Sequence, residues 1–208
     1  METPEAELLD PSAAMDLIHD TQTKTRRALD VNGSLLYGMW GLAWLTGYLA
    51  LWFSLRDQHT YLGPSVWALV VMGVSMAAAL AVTVVTMARA VQGVAGLSSM
   101  SARLYGWSWF IGFASLYAIV VGLSRAGANA SAIGLLAAAG PVLVVSIMYL
   151  VGGALWHYPT MFVVGAWLAV ANGVAVMFGV VTFDVVMAVA GGGGFLAAAL
   201  YEARRRRA

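Results

Sequence analysis

The chain has 208 residues, 61% of them hydrophobic and only 10% charged, with eleven basic residues against ten acidic. A mean hydropathy of +0.81 excludes an ordinary soluble domain, in which about a quarter of the residues are charged. The absence of cysteine excludes disulfides, thiolate metal sites and cysteine nucleophiles, and a net charge of +1 gives no footing for a nucleic-acid interface.

Residues 1–10 are acidic, and "DPSAAMDLIHDTQTKTRRALD" then reads as a short amphipathic helix. Asp10 suits its cap, Pro11 its first turn, and the early acids and late bases suit the helix dipole. Residues 1–30 are therefore expected to form a cytoplasmic segment that leads to the bilayer or docks a protein partner. Its acidic start does not resemble a cleavable signal peptide. "VNGSLL" is expected to bend the chain into the first span.

A bilayer core about 30 Å thick needs about 20 apolar residues per helix. Six such windows follow, at 33–53, 64–88, 104–123, 132–155, 159–180 and 185–201. The last two are separated because one helix of about 40 residues would be about 60 Å long. The turn is assigned to residues 182–184, which makes Asp184 a cap for the sixth helix. If that carboxylate lay inside the apolar region it would instead mark a functional site. Pro64 and Pro159 mark first turns of helices, and Ser131 is expected to cap the fourth. The fold class is therefore all-α: a membrane domain of six transmembrane helices over residues 31–202, then a basic tail at 203–208.

Nine basic residues (Lys24, Arg26, Arg27, Arg89, Arg103, Arg204, Arg205, Arg206 and Arg207) fall on one side of this arrangement, and Arg56 and Arg125 on the other. The positive-inside rule then puts both termini in the cytoplasm. Arg204 to Arg207 are assigned to anionic headgroups as a topology anchor. One Lys against ten Arg, with abundant Ala, Gly and Val, suggests a bacterial chain, hence an inner-membrane location.

"LLYGMWGLAWLTGYL" at 35–49 and "RLYGWSWFIGFASLY" at 103–117 share an opening LYG and a run of aromatics. The phrase fits either a duplicated hairpin or two sets of interfacial aromatics.

Four consecutive glycines, Gly191, Gly192, Gly193 and Gly194, fall at the middle of the sixth window. Each costs a helix about 0.8–1 kcal/mol relative to Ala. Two compensations are open: close packing of a bare backbone against a neighbour, or local unwinding that turns carbonyls toward a cavity. Asn172, Ser146, Pro141, Ser115 and Tyr117 lie at comparable depth and complete a candidate midplane solute site. Asn172 is expected to bond carbonyls freed near the glycines or by Pro141.

The chemical inventory is thin. Three histidines spread over both sides cannot converge on a metal, and no HExxH, GxSxG or phosphate-cradling motif occurs. No catalytic residue, metal or cofactor is assigned. The expected function is a channel or transporter for a small, mostly neutral solute, with proton or ion coupling disfavoured by the lack of an interior acid. The alternative is a non-transporting accessory or sensor subunit that docks a partner through residues 1–30. Small-residue stripes such as Ala190, Gly194 and Ala198 favour a homo-oligomer.

Overall fold

The computed structural model describes residues 32–91 and 97–207, together with Met15. The amphipathic helix and the partner-docking role assigned to residues 1–30 thus lie outside the described residues, apart from Met15, which is helical and exposed. Among the described residues the chain is helical, without strands: α1 Gly33–Leu55, α2 Val66–Val91, α3 Leu97–Arg125, α4 Ala130–Leu155, α5 Pro159–Val176, α6 Gly179–Val186, a π-helical segment Met187–Gly192, and α7 Gly193–Arg205.

Five helical stretches are long and apolar enough to cross a membrane: α2, α3, α4, α5 and the continuous run Gly179–Arg205. The chain is therefore a multi-pass membrane protein. Between them the turns are short, and caps come from the local sequence. The Asn32 side chain accepts the Leu35 N–H at the start of α1. At the start of α4 it is Asn129, not Ser131, that caps, accepting both the Ser131 N–H at 2.8 Å and its hydroxyl at 2.6 Å.

The turn between the last two spans sits earlier than the sequence suggests. It falls at Met177–Phe178, and Gly179 adopts φ +81°, a left-handed conformation that glycine takes without steric penalty. Residues 182–184 are consequently helical, and Asp184 is no cap: it lies in the second turn of α6, 1% exposed. A polar cluster in an apolar run is compatible with a turn, but the reversal of the backbone requires the left-handed glycine.

Helix α1 is the hub. It packs on α2, α6, the π segment and α7, while α4 pairs with α5 and α6 wedges between them. Helices α2 and α3 are peripheral. Among the described residues α2 joins the rest chiefly through α1, with Trp40 Nε1 donating to Thr83 Oγ1 at 3.0 Å. Helix α3 rests on α4, where the Tyr105 hydroxyl donates to the Met148 carbonyl at 2.7 Å. The two LYG phrases therefore occupy unlike places, one on the buried hub and one on the periphery: Tyr37 is buried and Tyr105 half-buried. Apolar side chains on α2 and α3 face outward, among them Leu69, Val74, Phe110 and Ile111, as lipid-facing surface does.

The helices alternate in direction. One end, the basic end, gathers Gly33, Tyr158 and Glu202 with the terminal arginines, and Gly33 approaches both Tyr158 and Glu202. The far end holds the 56–65 loop, Arg125 and the Met177–Phe178 turn.

Candidate functional site

The glycine run is packed, not open. A Cβ on Gly191 would come within 2.7 Å of the Trp44 ring. One on Gly192 would meet the Leu45 nitrogen at 2.9 Å and the Gly41 carbonyl at 3.1 Å, and one on Gly194 would meet the Trp167 ring at 2.7 Å. Gly193 alone of the four faces open space. The run lies at the junction of the π segment and α7. A π turn widens the helix and disturbs the regular carbonyl pairing, and here the Ala190 carbonyl accepts Trp167 Nε1–H at 2.8 Å. Side chains of α1 and α5 thus fill the space that unwinding would have opened, and buried Trp44, Tyr48, Phe183 and Phe195 stack beside it with ring centroids 5.2–6.3 Å apart.

The other expected site residues scatter. Ser146 is fully buried, but its hydroxyl donates to the Val142 carbonyl of its own helix at 2.7 Å, which closes its hydrogen bonding locally. Pro141 is half-buried within α4. Ser115 and Tyr117 are exposed on peripheral α3, away from the packed centre. Arg204 to Arg207 end and follow α7, all exposed, with Arg205 Nη1 3.9 Å from Glu202 Oε1.

Asn172 remains, and it has an unforeseen companion. It is 7% exposed on the inner face of α5, and its Oδ1 has no hydrogen-bond partner among the described residues. Asp184, 1% exposed, has an Oδ1 in the same condition. The two residues stand roughly one and a half helical turns on either side of the Met177–Phe178 turn, on facing helices, so they share one depth in the far half of the bundle. Helix α6 also packs on α1 and α4, and the Asp184 carboxylate lies within electrostatic range of Tyr48 on α1 and Tyr61 in the 56–65 loop.

That loop covers the far end. Gln58 ties it down, its amide donating to the Ser54 and Gly63 carbonyls at 3.1 and 2.9 Å and its carbonyl accepting the Leu62 N–H at 2.9 Å. The Ser65 N–H donates to Ser54 Oγ at 2.7 Å. Tyr61 is inserted against Gly134 at the start of α4, its hydroxyl occupying the space a Cβ there would need. Burial, and secondarily the Asp184 charge, hold the Tyr61 phenol above its ordinary range.

A second buried acid lies at the basic end. Glu202, 5% exposed, accepts the Thr160 hydroxyl at 2.5 Å and a hydrogen bond from Tyr158. Burial first, then that hydrogen bond and the Glu202 charge, raise the Tyr158 phenol, against the lowering effect of Arg205 and Arg206. Unlike Asp184, this carboxylate is satisfied, and it ties α7 to the start of α5. From the sequence, Glu202 reads only as the last residue of the membrane domain before the basic tail, with no role assigned to it. The available signal was an acid three residues before Arg205 at the end of an apolar helix.

Among the described residues no group of three His, Asp or Glu side chains could hold a metal. No family model matches the chain, and no curated protein or solved structure matches it either.

Proposed function

We propose that this chain is a transporter of a small solute whose binding site is the Asp184–Asn172 pair in the far half of the bundle, not the glycine-rich midplane. The observation that carries the reading is a carboxylate 1% exposed inside an apolar helix with an unpartnered oxygen. Such a group is costly in a membrane protein, and where it occurs it marks solute or ion pathways. In this reading Gly33–Leu55, which contains no charged residue, is a sixth span, its glycines, tryptophans and tyrosines notwithstanding. Both termini are then cytoplasmic, the basic end faces the bacterial cytoplasm, and the far end faces out. The tightly packed midplane is the barrier between the two sides, and transport proceeds by rearrangement around it instead of through a standing pore. The small-residue stripes remain available for self-association.

One observation favours a second reading, a non-transporting accessory or sensor subunit: the glycine run is filled by Trp44, Leu45 and Trp167. Reconstitution of the full chain alone into liposomes separates the two. A transporter yields solute uptake above empty vesicles that Asp184→Asn abolishes while the purified protein stays monodisperse and helical. Vesicles that remain tight to every solute tried, with a partner that co-purifies with the full chain and is lost on deleting residues 1–30, establish the accessory role.

A further inference from the structure

We infer that the Asp184–Asn172 pair binds a small monovalent cation, an alkali ion or ammonium; the inference rests on the transporter reading above for its purpose but not for its test. The chemistry of the orphaned atoms selects the ligand. Both are acceptors: a carboxylate oxygen and a primary-amide oxygen, each without a donor among the described residues. A neutral solute that only accepts hydrogen bonds, or an anion, would add to the imbalance. A ligand that brings positive charge or several N–H donors removes it.

The charge number follows from the sequence around the pair. From Gln58 to Tyr201 Asp184 is the one acidic residue, so a single positive charge neutralises the site and a second would be left buried and uncompensated. Basic residues do not serve as the internal partner, since α1, α5 and α6 contain none and the ends of the flanking spans hold the arginines of the chain. The titratable groups within electrostatic range of the carboxylate on other elements are the phenols of Tyr48 and Tyr61, neither of which brings a positive charge. Size is set by packing. Phe183 and Met187 flank Asp184 along its helical run and Leu168 lies about one turn from Asn172, all fully buried, so the packing around the two oxygens disfavours a bulky organic cation.

Access is from the far end, beneath the 56–65 loop. Tyr61 is the part of that loop that reaches inward, against Gly134, so it stands over the route and acts as a plug. Asp184 lies about two helical turns before Gly191 on the same helical run, so the Trp44–Gly191 packing stands between the cation and the opposite side.

The test uses the full-length protein in detergent and in liposomes. Thermal unfolding is followed at constant ionic strength with choline chloride replaced by NaCl, KCl, NH4Cl or methylammonium chloride, choline being too large for the site. At least one of the small cations raises the melting temperature saturably in the parent and in Asp57→Asn, a control at an exposed acid. Asp184→Asn loses that response completely, and Asn172→Leu weakens the apparent affinity at least tenfold. The arm that gives the strongest shift identifies the ion. Equal behaviour of all four salts and choline, or a shift that survives Asp184→Asn, overturns the inference. If Asp184→Asn does not fold, Asn172→Leu and a Tyr61→Ala variant, in which binding becomes faster without loss of affinity, carry the same decision. In liposomes, uptake of labelled methylammonium or rubidium that depends on Asp184 supports both inference and transporter. Saturable binding without uptake keeps the site and removes the transporter reading. Uptake of urea or glycerol unaffected by Asp184→Asn, with no cation response, removes the cation site and moves any transport away from Asp184.

Discussion

Single residues in the last span carry opposite expectations although they are chemically identical. A Cβ on Gly192 would meet backbone atoms of α1 at 2.9–3.1 Å, whereas one on Gly193 would meet nothing within 4 Å. Gly192→Ala should therefore cost about 1–3 kcal/mol through overpacking against atoms that cannot step aside. Gly193→Ala should be neutral or stabilising by up to about 1 kcal/mol through helix propensity. Thermal melts of the two variants in the same detergent check the contrast, and equal effects would mean that the π segment and α1 are not in contact. Asn172 belongs to the same scale. An unpartnered buried polar atom costs about 1–3 kcal/mol, so Asn172→Leu should melt higher than the parent even as it impairs the proposed site. Raised stability with lost function is the signature of a residue retained for what it binds.

At the scale of elements, two hydrogen bonds hold the last span in place against its neighbours. Trp167 of α5 captures the Ala190 carbonyl in the π segment, and Thr160, at the other end of α5, donates to Glu202 of α7. Trp167→Phe keeps the ring and loses the donor, an expected cost of about 0.5–1.5 kcal/mol. Thr160→Val leaves a buried carboxylate short of one donor, for which about 1.5–3 kcal/mol is expected. Urea titration of the two variants, or their melts, should rank them in that order. Tyr158, which also bonds Glu202, gives the contact a pH dependence. Its phenol is raised in the folded protein above the ordinary tyrosine value of about 10, so the folded state holds the proton more tightly than the unfolded chain. The stabilisation is fully present below about pH 10 and is lost as the pH rises through the folded value. Melting temperatures should be flat up to that point and fall above it, with a shallower fall in Tyr158→Phe.

At the scale of the whole molecule, the testable quantity is which end faces which side. The cysteine-free background makes introduced thiols clean reporters. Arg56→Cys and Arg125→Cys should react with an impermeant maleimide in intact cells, and Arg89→Cys only after permeabilisation. The opposite pattern inverts the topology and puts the Asp184 site on the cytoplasmic side. Exposed apolar surface on α2 and α3 should make the protein insoluble without detergent or lipid.

The lipid solvent, the helical class and most helix starts were legible in the residue pattern alone, because a run of about 20 apolar residues in lipid has to satisfy its peptide groups within a helix. The starts at Gly33, Ala130 and Pro159 fall within a few residues of expectation for that reason. The pattern also held the right glycines, but not what they were for: bare backbone serves equally for packing and for unwinding, and only the approach of Trp44, Leu45 and Trp167 from other helices decided for packing. Asp184 shows the limit most sharply. Its residue type is polar and its neighbourhood apolar whether it caps a helix or sits inside one, and a shift of the turn by about five residues, driven by the left-handed Gly179, exchanges one role for the other. Its depth, and its placement at the level of Asn172, depend on how α5 and α6 fold back on each other, which is a property of the packed bundle and of no single stretch of chain.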